Sequence, residues 1–133
     1  MQDEKRVQIA SDADIVSARQ EGRKLADEIG FSTTDQTLIA TAISELARNI
    51  AAYARTGEIV LRVERSGGRA GVVVIARDDG PGIRDIAAAL KDGYSTSRSM
   101  GMGLPGTRRL MDEFEIVSEI DKGTIVTTKK WRW

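Results

Sequence analysis

Between Thr33 and Arg55 the apolar residues Leu38, Ile39, Ala42, Ile43, Leu46 and Ile50 recur at spacings of three and four. An α-helix turns once in about 3.6 residues, so they share one side and predict a helix with a buried stripe. Upstream, Ile15, Val16, Ala18, Leu25, Ala26 and Ile29 predict another helix. Ser11 with Asp14 opens it in the manner of a capping box, and Gly30 suits its stop. Ser32, Thr33 and Thr34 offer caps for the long helix, and Gly57 is expected to close it. Val7 to Ala10 alternates and predicts a short edge strand.

After Gly57 the period drops to two. Ile59, Leu61 and Val63 alternate with Val60, Arg62 and Glu64, and Gly71 to Ala76 is a strongly apolar run. The two predict a hairpin with a loop of about four to five residues around Ser66–Arg69. A second hairpin is expected from Phe114, Ile116, Ser118 and Ile120 on one face, a turn at Asp121–Gly123, and a strand from Thr124 to Trp131. Between the hairpins lie a short helix over 86–90, a polar loop over 91–100, and a glycine-rich start to a helix ending near Met111. The pattern predicts a two-layer α/β sandwich, with a mixed and mostly antiparallel sheet and helices on one face.

Candidate chemistry lies where polar residues interrupt this pattern. Glu45 and Asn49 are one helical turn apart, away from the apolar stripe. An amide oxygen can ligate Mg²⁺, and a carboxylate can orient or deprotonate an attacking hydroxyl. Alone, the pair is far more often what a solvated helix face carries. Asp78-Asp79-Gly80-Pro81-Gly82 follows a strand directly. Its glycines allow close approach of a flat base, and Asp78 can accept a hydrogen bond from an exocyclic amine. Alone, such a stretch is also an ordinary acidic turn. Gly101 to Gly106 frees backbone N–H groups before a helix, a place for phosphate. That stretch also spells G-x-G-x-x-G, but residues 94–100 make a poor strand, so a dinucleotide fold is rejected.

Composition narrows the chemistry. The chain has 133 residues with neither cysteine nor histidine, which removes thiol catalysis, His-based triads and zinc sites of the Cys/His kind. Basic and acidic residues balance at 20 each, so no overall basic field argues for nucleic acid. No apolar run approaches the roughly 20 residues of a membrane span, and a cytoplasmic domain is expected. The ending Lys129-Lys130-Trp131-Arg132-Trp133 is open to two readings, core packing of the last strand or a docking patch.

Glu45-x-x-x-Asn49, Asp78-x-Gly80-x-Gly82, Gly101-x-Gly103 and Gly123-Thr124 resemble, in order, the N, G1, G2 and G3 boxes of the GHKL superfamily of ATPases and kinases. Each box is weak alone, whereas four in sequence are specific. The runs Ile43–Asn49, Asp79–Ile83, Tyr94–Ser97 and Gly103–Phe114 are similar to the anti-sigma-factor serine/threonine kinases, those of the stressosome in particular. The resemblance implies the GHKL (Bergerat) ATP-binding fold as one domain over 1–133. It also implies a kinase using ATP and Mg²⁺, with STAS-domain proteins (RsbS/RsbR-like) as substrates and a PP2C-type phosphatase (RsbU-like) as a later partner.

The same resemblance implies the residue roles. Glu45 serves as base or orienter, Asn49 as Mg²⁺ ligand and Asp78 as reader of the adenine amine. Gly80 and Gly82 shape the base pocket, which Thr124 supports, and Gly101 and Gly103 lie on the phosphates. Residues 93–100 would form an ATP lid. Arg98 within it is a candidate for γ-phosphate charge or a solvated cation. Without a phosphoacceptor histidine or a long transducer domain, an intact histidine kinase and gyrase-type or Hsp90-type machinery are not expected. The alternative function is a nucleotide-gated, anti-sigma-factor-like binding switch with little turnover.

Overall fold

The long apolar stripe places α2 at the centre of the molecule. The computed structural model describes residues 4–83 and 103–132. Their elements are β1 (Glu4–Ile9), α1 (Asp12–Glu28), α2 (Thr33–Tyr53), β2 (Gly57–Ser66), β3 (Arg69–Asp78), α3 (Gly103–Leu110), β4 (Glu113–Glu119) and β5 (Gly123–Arg132). The strands form one sheet in the order β1-β2-β3-β5-β4. Every pairing among them is antiparallel. The helix expected over 86–90 lies outside the described residues.

The alternation of β2 and β3 divides their side chains between the two sheet faces. Ile59, Leu61, Val72, Val74 and Ala76 join Ile39, Ile43, Leu46 and Ile50 of α2 in one core. Val60, Val73 and Ile75 point the other way and form a small cluster of their own. The helices therefore cover one face, as the two-layer reading expects. Within α1, Ile15, Ala18, Gly22 and Ala26 are buried, whereas Val16 stands 39% exposed and leaves the stripe.

Local signals set the boundaries. Ser32 caps α2 by accepting the Asp35 N–H at 3.1 Å. Beyond α1, Gly30 at φ +94° lets its N–H reach the Asp27 carbonyl and that of Phe31 reach Ala26, the Schellman pattern. The capping box expected at Ser11 does not form. Asp14 accepts the Ala10 N–H at 2.8 Å, and the Ser11 hydroxyl makes no cap bond.

Two expectations about glycine need correction. Helix α2 ends at Tyr53 with Arg55 at φ +71°, so Gly57 is not its stop but the first residue of β2. There a side chain would strike the Arg77 carbonyl and Ile50, so packing rather than backbone freedom demands glycine. The first hairpin turns in only two residues, Gly67 and Gly68. Both have positive φ, as a tight type I′ turn requires.

Gly123 and Gly67 separate two reasons for glycine. At Gly123 (φ +115°) a Cβ would collide with the Asp78 carbonyl, whereas at Gly67 (φ +60°) it meets nothing within 4 Å. Gly123→Ala is expected to cost roughly 2–4 kcal/mol, combining a strained φ with overpacking. Gly67→Ala should cost about 1–2 kcal/mol from the left-handed backbone alone. Urea denaturation midpoints of the two variants check the order.

Candidate functional site

Four residues of α2 at helical spacing, Leu46, Asn49, Ile50 and Tyr53, form one wall of a cavity of about 310 Å³. The sheet supplies the floor through Ala76 and Asp78 of β3 and Thr124 and Val126 of β5. Pro81, Gly82 and Ile83 close one end, and Gly103 and Leu104 of α3 close the other. The volume is at the lower end of the range for small-molecule sites, and the lining is mainly apolar with a few polar groups.

Asp78 is the last residue of β3, paired across the sheet with Thr124 on one side and Gly57 on the other. Its Oδ1 accepts the Gly80 N–H at 2.8 Å. Among the described residues Oδ2 accepts no hydrogen bond, which leaves one carboxylate oxygen for a donor in the cavity. The turn after it is held from two sides. A side chain at Gly80 would meet the Ala54 Cβ at the end of α2, and one at Gly82 (φ +79°) would collide with the Glu119 carbonyl. The Asp121 N–H donates to the Pro81 carbonyl at 2.8 Å, and the Ile83 N–H to Ser118 Oγ at 2.7 Å. Ser118 Oγ in turn lies 2.8 Å from Thr124 Oγ1. Thr124 thus both lines the cavity and fastens the turn.

Asn49 is half-buried in the cavity wall and makes no hydrogen bond among the described residues. A free amide oxygen beside a cleft suits a hard cation that takes most of its oxygens from phosphate and water. Among the described residues no group of three or more acidic side chains could hold a metal alone, so Mg²⁺ at this site would depend on such outside ligands.

Glu45 departs from the expected arrangement. It does not share the cavity with Asn49 but is 5% exposed beneath α3. Its Oε2 accepts Arg48 Nη1 at 2.6 Å, and its Oε1 faces the Gly103 N–H at 3.3 Å. The physical reason is the packing of α3 across α2. The first N–H groups of a helix have no partner within it, and a carboxylate from the neighbouring helix supplies one. Gly103 is at φ +59° as the first residue of α3, so Gly103 to Gly106 lie inside the helix rather than before it, and the helix ends at Leu110. Gly101, Arg98 and the proposed lid 93–100 lie outside the described residues.

The sequence reading missed two participants. Tyr53, 50% exposed at the cavity rim, is one turn beyond Asn49, and extending the helical face would have found it. Ser118 becomes visible only once strand register sets it opposite Thr124.

Residues 9–130 match the family described as the histidine kinase-like ATPase domain. The chain is 50% identical over 131 residues to the serine/threonine-protein kinase RsbT of Bacillus subtilis, covering 98% of each chain. It is 33% identical to the anti-sigma F factor of a Thermoanaerobacter species, over 70% of this chain and 68% of the relative. Among solved structures it superposes on a Mycobacterium tuberculosis protein containing RsbU and RsbW domains (TM-score 0.63, 22% identity). That match takes in 98% of this chain and 33% of the other. The catalytic domain of the histidine kinase ThkA matches at TM-score 0.54 and 14% identity, over 95% of each chain. The family model and the identity to RsbT together show it: the chain belongs to the histidine kinase-like ATPase family.

Proposed function

We propose that the chain is an ATP-dependent serine/threonine protein kinase of a bacterial stress-response partner switch. The observation that carries this reading is the cavity itself. Among the described residues it holds a carboxylate oxygen without a partner on Asp78 and a free amide on Asn49, with Glu45 at the helix terminus that closes one end. Half identity to RsbT over nearly the whole chain supports the same activity.

In this reading Asp78 Oδ2 accepts the adenine amine, and the clamped turn at Gly80 and Gly82 holds that oxygen in place. Tyr53 covers the base from the rim, Thr124 steadies the floor, and the start of α3 with Gly103 receives phosphate. Asn49 would hold Mg²⁺, which neutralises charge on the phosphates when bound. The acceptor hydroxyl oxygen bonds to the γ-phosphorus as the β–γ bridging bond breaks, and ADP leaves with that electron pair. Glu45 orients the hydroxyl and takes its proton. Such transfers depend more on positioning and charge than on a strong base. The substrates would be STAS-domain proteins, and a PP2C-type phosphatase would be the partner bound afterwards.

A second reading, a nucleotide-gated binding switch with little turnover, is favoured by the engagement of both Glu45 oxygens in the structure described. The two part on transfer. With γ-labelled ATP, Mg²⁺ and a STAS-domain protein, the kinase reading expects label on one Ser or Thr. Glu45→Ala should lower transfer by about 10²–10⁴-fold while still binding ATP. Asn49→Ala should lose the Mg²⁺-dependent part of the affinity. Transfer at the normal rate by Glu45→Ala would leave Glu45 a structural residue and favour the switch.

Asp78→Asn tests the base pocket. Losing one charge-assisted hydrogen bond should weaken ATP and ADP alike by roughly 1.5–3 kcal/mol, because the adenine contact is common to both. Tyr53→Ala should weaken both by about 1–3 kcal/mol, the usual weight of stacking on a base. Titration calorimetry measures each, and equal affinity of the parent protein for GTP and ATP would refute the adenine assignment.

A further inference from the structure

Glu45 is placed where a base cannot act. Its side chain is 7% exposed, and each oxygen already has a partner, Arg48 on its own helix and Gly103 on α3. The two partners differ in kind. Arg48 lies three residues along α2, its side chain is 42% exposed, and it can follow Glu45 through a rotamer change. Gly103 belongs to another element and also lines the cavity alongside Asn49 and Leu104. An anion entering that end of the cavity and the Glu45 carboxylate would therefore compete for one backbone donor, and their charges would repel.

We propose that Glu45 is an internal competitor of nucleotide phosphate. It occupies the α3 N-terminus while the site is empty and is displaced when phosphate arrives. This rests on the nucleotide reading above and deepens it by naming how the site is regulated. Displacement breaks the contact to Gly103, keeps the ion pair to Arg48, and turns a buried carboxylate toward the end of the cavity where the acceptor must enter. The protein then has no exposed base until the phosphate is seated. Arg48 is the positioning residue of this step. It holds one oxygen of Glu45 in both states, so the carboxylate moves without losing its counter-ion.

Glu45→Gln keeps the shape and removes the competing charge. With a non-hydrolysable ATP analogue and Mg²⁺, calorimetry on the full chain should show the variant binding about tenfold more tightly than the parent, the weight of one anion at a partly buried helix N-terminus. Equal or weaker binding by the variant overturns the proposal. In the nucleotide-free proteins, the Gly103 amide resonance should differ between parent and variant, and saturation with the analogue should bring the two together. A Gly103 amide that is the same in both nucleotide-free proteins also overturns it, whatever the affinities. If the parent binds no adenine nucleotide, the reading of the site fails and the competitor role fails with it. If parent and variant bind equally, the nucleotide reading stands and only the competition is lost.

Discussion

The start of β5 runs so close to the end of β3 that any side chain at Gly123 would collide with the Asp78 carbonyl. Much of the site depends on that approach. It brings the second hairpin's turn far enough over the first that the Asp121 N–H reaches the Pro81 carbonyl and Ser118 reaches Ile83. The Asp78–Gly82 turn is then held between that hairpin and the end of α2 at Ala54. A turn with two glycines would otherwise sample many conformations. Here strand register, not local sequence, determines its shape, and Asp78 inherits a fixed carboxylate plane through its bond to Gly80.

At the opposite end of the cavity, α3 packs on α2 through buried Pro105, Gly106 and Thr107, and a charged group lies within that contact. A carboxylate removed from water needs partners, and Glu45 finds one cation and one helix terminus. The same carboxylate links α3 to α2.

Most elements were legible from periodicity, because burial of α2, β2 and β3 repeats at 3.6 and 2.0 residues as their geometry demands. The family was legible as well, from glycine and acidic residues that interrupt that period in a specific order. Failures came where neighbours decide. Val16 has the spacing of a core residue but lies just past the edge of the buried stripe. Gly57 has the look of a helix stop, yet its requirement comes from β3 and Ile50. Glu45 shares a helix face with Asn49, but only the placement of α3 shows that the two side chains serve different neighbours. No pattern within one segment encodes the packing of another across it.

The sheet face without helices obeys the same rule. Val60, Val73 and Ile75 are buried there although, among the described residues, no helix covers them. Register places them among long charged side chains: Arg6 opposite Val60, Lys129 opposite Val73, and Arg62 on the other flank of Val73. Ion pairs such as Arg6 with Glu58 and Lys129 with Glu64 hold these chains across the strands, where their aliphatic stems can cover apolar surface. Trp131 completes the cover at one end. It is buried, not in the main core but over Gly71, with Arg69 stacked 3.9 Å from its ring centre and Glu113 accepting its indole N–H at 2.5 Å. The aromatic ending therefore packs the last strand, as one sequence reading had it, but on the face away from the helices. Its ring fills the space that the missing side chain of Gly71 leaves, so the glycine in the apolar run of β3 and the tryptophan in β5 form a single packing unit.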